Sequence, residues 1–182
     1  LRTEIATITR ILVAEGIMDY SGHVSARMPE RDTFLIQPMT TSRSELRPED
    51  MIEVGLDGCS RGLGQTAAPP AEVFIHSEIY RVRAELQAIL HCHPENAILF
   101  TLAAGARLLP VRNHASRWAA GIPIHPDPGH INPAELGAEL AGTLGKCFAM
   151  LIRAHGLVVA ADSVPAPPAA APPSAPTPHA PP

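Results

Sequence analysis

The hydrophobic and polar positions of this chain change their period several times, and each change predicts a new element of secondary structure. In residues 1–15, Ile5, Ile8 and Leu12 recur at steps of three and four, which is typical of a helix with one buried face. Gly16 follows as a helix stop signal. Three further helices are expected, one after Pro69-Pro70, one from residue 95 to Gly105, and one over residues 133–145.

Short apolar segments between the helices predict strands. The segments HVSARMP and TFLIQP flank the polar turn ERD, and MIEVGLDGCSRG alternates apolar and polar residues before Asp57-Gly58, a dipeptide typical of hairpins. LQAILHCH is expected to be a buried strand that ends at Pro94, and CFAMLIRAHGLVVAA to be two buried strands interrupted at His155-Gly156. Mostly antiparallel strands interleaved with helices indicate an α/β or α+β fold built on one central sheet.

Composition and charge exclude several classes of function. The 182 residues have a formal net charge of -4 with scattered Lys and Arg, and only 4% are aromatic, so we expect no nucleic-acid partner. No apolar run reaches the ~18 to 20 residues of a membrane span, so we expect no membrane partner. The three cysteines, Cys59, Cys92 and Cys147, are too irregularly spaced for a disulfide framework, which favours a reducing, cytoplasmic setting.

The composition changes abruptly near Ser163. Residues 164–182 are almost entirely proline and alanine and include no charged residue. Such a segment cannot bury enough apolar surface to fold. The sequence therefore predicts one folded domain over residues 1–163, followed by a disordered tail over residues 164–182.

Two histidines end one of the predicted buried strands. Residues i and i+2 of a strand point to the same side, roughly 6.5 to 7 Å apart, so His91 and His93 could bind one ion at about 2.0 to 2.1 Å. Cys92 then faces the opposite side as a core residue. His155 ends another buried strand and could supply a third nitrogen, with Gly156 allowing a tight turn beside it. Taken alone, His155 is more simply a packed core residue, but the pair favours a zinc or manganese site.

Glu72 is the candidate acid or base. It is expected in the first turn of the helix after Pro69-Pro70, one turn from His76 on the same face. A carboxylate beside a divalent ion could ligate that ion or exchange protons with a substrate, although first-turn glutamates also simply favour the helix dipole. No HExxH helix is present, which argues against a zinc hydrolase. Three histidines in loop-like segments, His114, His125 and His130, could line a pocket, although surface exposure is the simpler interpretation.

Five segments of this chain together resemble the class II aldolase/adducin family: GHVSAR, FLIQP, LRPEDMIEVGLDG, PAEVFIHSEIYRVRAELQAILHCHPENA and LIRAHGLVVA. The resemblance covers about residues 1–163 in order. It implies an α/β fold of three layers, α/β/α, with a central, mainly antiparallel sheet. It further implies that His91, His93 and His155 hold a divalent metal and that Glu72 is the general acid/base. Zinc is the expected ion, with manganese, cobalt or magnesium as alternatives, and the expected assembly is a homotetramer with active sites at subunit interfaces.

Departures from the family's pattern narrow the expected substrate. Members that act on sugar phosphates have Gly-Asn where this chain has Gly22-His23, and Ser-Ser where it has Pro70-Ala71. Pro70 has no N–H and neither residue has a hydroxyl, so donors for a phosphate are lost. Gly22-His23 is similar to the branch containing decarboxylases of hydroxylated aromatic or pyridine dicarboxylates. We therefore expect a small carboxylic acid substrate, bound by residues drawn from Gly22, His23, Arg43, Arg112, His114 and Arg117.

The expected activity is that of a metal-dependent carbon–carbon lyase that decarboxylates such an acid. Decarboxylation and retro-aldol cleavage both leave an electron pair on carbon, which a Lewis-acidic ion stabilises as an enolate. An aldehyde-lyase or epimerase acting on a small sugar-like substrate therefore stays an alternative. A non-catalytic, adducin-like interaction module is an alternative of another class. Because family members continue past the last strand with a helical segment, we also hypothesise that the Pro/Ala tail reflects a truncation or a frame shift that weakens turnover.

Overall fold

The computed structural model describes residues 1–62, 67–106, 108–109, 111, 113–119 and 121–164. Within these residues the helices are α1 (Arg2–Ala14), α2 (Val73–Val82), α3 (Glu95–Leu102) and α4 (Ala134–Leu144). Two short 3₁₀ helices span Pro48–Asp50 and Asn113–Trp118. The strands are β1 (His23–Arg27), β2 (Thr33–Ile36), β3 (Ile52–Gly55), β4 (Ser60–Arg61), β5 (Ala88–Cys92), β6 (Ile124–His125), β7 (Ala149–Ile152) and β8 (Gly156–Ala161).

The strands form one eight-stranded sheet in the order β4-β3-β2-β1-β5-β8-β7-β6. Every neighbouring pair is antiparallel except β6 and β7, which are parallel. The predicted central and mainly antiparallel sheet is therefore confirmed. β5 is one of its two central strands, and there His91 pairs with His23 of β1 on one side and with Val158 of β8 on the other.

Helices cover both faces of this sheet, which confirms the three-layer fold. Side chains of successive strand residues point to opposite faces, so Phe34 and Leu35 of β2 belong to different apolar clusters. One cluster joins the sheet to α2 and α4 and includes Phe34, Ile79, Ile89, Leu140 and Val158. The other joins it to α1 and includes Ile5, Val24, Leu35 and Cys92. Cys92 is thus a core residue on the face opposite His91, as its position in the strand predicts.

Two local features differ from the sequence prediction. Helix α2 begins at Val73, and Glu72 is its N-cap rather than a first-turn residue. His125 is 4% exposed, so its predicted surface location is wrong. The segment around it was expected to be a loop, but Ile124 and His125 pair with β7, and Nδ1 of His125 lies 2.9 Å from Oγ1 of Thr143 on α4.

The end of the described chain packs against the domain. Val164 contacts the apolar cluster on the α1 side of the sheet. The rest of the predicted Pro/Ala tail lies outside the described residues, so the domain boundary near Ser163 stays a prediction. Among the described helices, none is both long and apolar enough to cross a membrane.

A candidate metal centre at the end of the central strands

Four side chains meet where β5 ends. Glu72, His91, His93 and His155 each offer one ligand atom, and these atoms all lie within 4.8 Å of one another. Glu72 is the N-cap of α2, His91 lies on β5, His93 follows that strand, and His155 lies in the turn between β7 and β8. The fold therefore brings together, from three separate parts of the chain, all four residues that the sequence pattern selects.

Hydrogen bonding orients His91 towards the centre of this cluster. Its Nδ1 donates to the carbonyl oxygen of Leu157 at 3.0 Å. Its Nε2 lies 2.9 Å from Nε2 of His93 and 3.4 Å from Oε2 of Glu72. Burial lowers the pKa of His91 although Glu72 opposes this, so the ring is neutral near pH 7. A neutral ring with its proton on Nδ1 has a lone pair on Nε2, which is the form that binds a metal.

A carboxylate orients His93 in the same way. Nδ1 of His93 lies 3.2 Å from both carboxylate oxygens of Asp19 and 3.1 Å from Oγ of Ser21. Asp19 also accepts hydrogen bonds from the backbone N–H groups of Ser21 and Gly22. Burial raises the pKa of Asp19, but the contacts with His93, Ser21 and Gly22 lower it by more, so the group stays ionised. The proton of His93 is therefore on Nδ1, and its Nε2 is a free ligand atom.

Glu72 supplies the negative charge of the cluster. Its Oε1 accepts a hydrogen bond from the backbone N–H of Ile131 at 2.9 Å and lies 3.5 Å from Nε2 of His155. Burial raises the pKa of Glu72, whereas His155, His91 and the Ile131 N–H lower it by more, leaving it far below its usual range. Burial lowers the pKa of His155, and the contact with Glu72 reverses this, so the net shift is upwards.

Gly156 is needed beside His155, but not for the tight turn that its sequence position indicates. The positive φ of this turn, 54°, belongs to Ala154. A Cβ atom on Gly156 would instead lie 2.5 Å from the carbonyl oxygen of Cys92 and 2.9 Å from Cδ2 of His93. A glycine here therefore lets β8 approach the end of β5 closely enough for His155 to join the cluster.

A cavity of about 170 Å³ opens beside the cluster. Its lining includes Glu72, His23 and Arg43, together with Tyr20, Ser21, Met39, Pro70, Ala71 and His130. His130 is 61% exposed, as predicted, and its Nε2 lies 4.0 Å from Oε1 of Glu72. Of the candidate carboxylate partners, His23 and Arg43 therefore border the cavity. Arg112 and the side chains of His114 and Arg117 lie outside the described residues.

Arg43 and Gly22 also maintain the wall of this cavity. The buried guanidinium of Arg43 donates from Nε to the carbonyl oxygen of Gly22 at 2.9 Å and from Nη1 to those of Thr41 and Pro38 at 2.6 and 3.2 Å. A Cβ atom on Gly22 would lie 2.7 Å from Cγ of Met18. Arg43 thus holds backbone segments in place and Gly22 leaves room for Met18, and the part of both residues in substrate binding stays a prediction.

The model of the family described as Class II Aldolase and Adducin N-terminal domain matches residues 3–167. This chain belongs to that family. The 3,4-dihydroxyphthalate decarboxylase of Arthrobacter keyseri is 30% identical over 175 residues, which cover 90% of this chain and 70% of that protein. β-Adducin of Homo sapiens is 29% identical over 170 residues, which cover 90% of this chain and 23% of the adducin. The enzyme and the adducin have almost the same percentage identity to this chain. Identity alone therefore does not distinguish an enzyme from an interaction module, and the residues of the site have to be considered.

Solved structures of the class II aldolase family support the same assignment. The crystal structure of an aldolase II superfamily protein from Pseudomonas syringae has a TM-score of 0.80 and 27% identity to this chain. The match covers 90% of this chain and 66% of that chain, so the present sequence spans about two thirds of that structure's length. The family assignment of the fold and the observed three-layer architecture therefore agree.

Sequence reasoning missed the polar side chains that support the cluster in this family member. Asp19 lies three residues before Gly22, a spacing typical of a loop in which a carboxylate accepts backbone hydrogen bonds, and this was its only local signal. Ser25 is a buried serine on β1, and Tyr80 is buried one turn after His76 on α2. Nothing local distinguishes these residues from ordinary strand and helix positions, because their contacts form only in the folded chain.

Proposed function

We propose that this chain is a divalent-metal-dependent carbon–carbon lyase that decarboxylates a hydroxylated aromatic or heteroaromatic carboxylic acid. The observation that supports this most directly is the cluster of Glu72, His91, His93 and His155, with ligand atoms within 4.8 Å of one another. Three imidazoles and a carboxylate are typical ligands of Zn²⁺, which binds three protein side chains and keeps one open position in catalytic sites. Manganese and cobalt also accept such ligands, whereas magnesium prefers oxygen atoms.

The donor set fits a bound divalent ion. The Nδ1 protons of His91 and His93 are engaged by Leu157 and Asp19, so two Nε2 lone pairs face each other at 2.9 Å. A cation between these nitrogens and the Glu72 carboxylate would satisfy all of them. When bound, such an ion would act as a Lewis acid towards oxygen atoms next to the carbon–carbon bond that breaks.

Glu72 is the proposed proton carrier. Loss of carbon dioxide leaves an electron pair on a ring carbon, and a proton must then reach that carbon. Glu72 borders both the histidine cluster and the cavity, and the Ile131 N–H fixes one of its oxygens. The carboxylate is thus held at the boundary between the proposed ion and the proposed substrate, where proton transfer would occur.

The cavity wall favours a carboxylic acid over a sugar phosphate. Pro70 and Ala71 line it and offer no hydroxyl group, while His23 and Arg43 line the same space. The relative from Arthrobacter keyseri is named for decarboxylating 3,4-dihydroxyphthalate, which is an acid of this kind. Retro-aldol cleavage or epimerisation of a small sugar-like substrate stays the alternative within the enzyme class. An adducin-like interaction module would have no need of the complete four-residue cluster.

We propose that the protein acts in the cytoplasm as a homotetramer with its sites at subunit interfaces. Exposed apolar side chains around α3 and the segment after it support an interface there, namely Leu99, Leu102, Leu109 and Val111.

The proposed function is tested by carbon dioxide release from 3,4-dihydroxyphthalate, together with the metal content of the purified protein. We expect about one divalent ion per chain and carbon dioxide release that a chelator abolishes and added Zn²⁺ restores. Stoichiometric metal without carbon dioxide release would overturn decarboxylation and favour the aldehyde-lyase alternative. Trace metal alone, with no turnover, would favour the interaction module.

A further inference from the structure

A chain of four buried polar side chains runs from the core to the cavity. Oη of Tyr80 lies 2.9 Å from Oγ of Ser25, and the same Oγ lies 2.6 Å from Nδ1 of His76. Nε2 of His76 then lies 2.6 Å from Nδ1 of His23. All four residues are at most 2% exposed, and they alternate between β1 and α2. His23 is the member that lines the cavity beside Glu72.

The three hydrogen bonds that join these four side chains have one favoured direction. Burial raises the pKa of Tyr80, so the phenol keeps its proton, and Ser25 is the partner of its Oη among the described residues. When Tyr80 donates to Ser25, the serine hydroxyl is free to donate to Nδ1 of His76. His76 must then have its proton on Nε2 and donate it to Nδ1 of His23. Neutral His23 consequently has its own proton on Nε2.

The opposite direction is disfavoured because it leaves a buried group unsatisfied. If Nδ1 of His23 donated to His76, and His76 donated to Ser25, the serine would donate to Tyr80. The phenol proton would then have no acceptor among the described residues, although Tyr80 is only 1% exposed. An unpaired buried donor is costly, so the arrangement that begins with Tyr80 as donor is the stable one.

We propose that Tyr80, Ser25 and His76 are positioning residues that hold His23 in its Nε2–H form, and that this N–H binds a carboxylate oxygen of the substrate. His76 occupies Nδ1 of His23, so Nε2 is the nitrogen that remains for the cavity. In the reverse form this nitrogen would present a lone pair and repel a carboxylate. The choice of ligand rests on the proposed function, whereas the direction of the hydrogen bonds does not.

The direction is tested by nitrogen-15 NMR of protein labelled at histidine, since protonated and unprotonated ring nitrogens have well-separated chemical shifts. For wild type we expect a protonated Nε2 and an unprotonated Nδ1 in both His23 and His76. His76→Phe removes the N–H that fills Nδ1 of His23 but keeps a ring of similar size, so both nitrogens of His23 should move towards averaged values. Thr9→Val is the matched control, because it removes a buried hydroxyl on α1 that has no hydrogen-bond partner among the described residues. It should leave the His23 signals unchanged.

Either of two results would overturn the inference: a protonated Nδ1 of His23 in wild type, or His23 signals that do not respond to His76→Phe. If that variant does not fold, the nitrogen-15 spectrum of wild type still tests the direction, because a protonated Nδ1 of His23 would overturn it. In the turnover assay, a variant that populates the two neutral forms of His23 equally should have a KM for 3,4-dihydroxyphthalate that is about two-fold higher, with kcat unchanged. Absence of turnover with the expected wild-type signals would overturn the proposed function and the carboxylate assignment, but would support the hydrogen-bond direction.

Discussion

Nε2 of His91 lies 2.9 Å from Nε2 of His93, although the hydrogen bonds of both rings place their protons on Nδ1. Two nitrogen lone pairs at this separation repel each other unless a cation lies near both. The backbone on one side and Asp19 on the other hold the rings in this arrangement. The fold thus maintains a contact that is unfavourable in the metal-free protein and favourable once a divalent ion is bound.

Replacing His93 by alanine should abolish stoichiometric metal binding. The variant loses one of three nitrogen ligands and the partner of Asp19, and metal content can be measured by mass spectrometry of the purified protein. His130→Ala is the control, since His130 is near Glu72 but outside the four-residue cluster. It should retain the metal content of wild type. Equal metal content in wild type and His93→Ala would contradict the assignment of His93 as a ligand.

Replacing Asp19 by asparagine should weaken metal binding without removing a ligand. The carboxylate fixes the orientation of His93 and keeps its proton on Nδ1, and loss of such a partner typically costs about 10- to 100-fold in affinity. Competition with a chromophoric chelator measures this change. Asp57→Asn removes a carboxylate from an exposed ion pair with Arg61 and should leave the affinity unaltered. A wild-type affinity in Asp19→Asn would show that packing alone orients His93.

Replacing Glu72 by glutamine should retain the ion but lower kcat. The amide cannot carry a proton to carbon, and loss of a general acid typically lowers a rate by about 10² to 10⁴. Carbon dioxide release and metal content are measured on the same preparation. Glu78→Gln changes a buried glutamate on the same helix that pairs with Arg81, and it should keep most of the activity. Wild-type turnover in Glu72→Gln would exclude the proposed role.

The parts of this site that the sequence predicts are those set by local periodicity. His91, Cys92 and His93 alternate at the end of β5 because the side-chain period of a strand is two, and this could be deduced from the eight adjacent letters LQAILHCH. Asp19 contacts His93 across 74 positions of the chain. Its role therefore depends on how the loop before β1 lies against the end of β5. His125 is buried because β6 pairs with β7, in which Leu151, the partner of Ile124, comes about 27 residues later along the chain. No local sequence pattern predicts that pairing.

Introducing a methyl group at Gly22 should destabilise the protein. A Cβ atom there would lie 2.7 Å from Cγ of Met18 and 3.1 Å from the carbonyl oxygen of His91, so β1 and β5 would have to move apart. Overpacking of this kind typically costs about 1 to 3 kcal/mol, which urea denaturation can measure. Gly142→Ala on α4 has open space around its Cβ position and should stabilise the protein by up to about 1 kcal/mol. Similar free energies of unfolding for the two variants would argue against the close approach at Gly22.

The buried histidines behind the cavity should make the metal-free protein sensitive to mild acid. Burial lowers the pKa of His76 to about 3, from an ordinary value of 6.5, and burial also lowers that of His23. Above pH 6.5 both folded and unfolded chains are neutral at His76, so no stability is lost. Below it the unfolded state binds a proton that the folded state excludes, and the free energy of unfolding falls until the pH approaches about 3.

The contribution of His76 can be isolated by its replacement with phenylalanine. Each excluded proton contributes a slope of about 1.4 kcal/mol per pH unit to the free energy of unfolding. Urea denaturation between pH 6 and 5, with a chelator present, avoids most of the range in which carboxyl groups titrate. His76→Phe should be less stable at neutral pH because it breaks the contacts with Ser25 and His23, but its stability should fall less steeply with acid, by about that one-proton slope. Equal slopes for the variant and wild type would mean that folded His76 binds a proton as readily as the unfolded chain does, which would contradict the pKa that burial lowers.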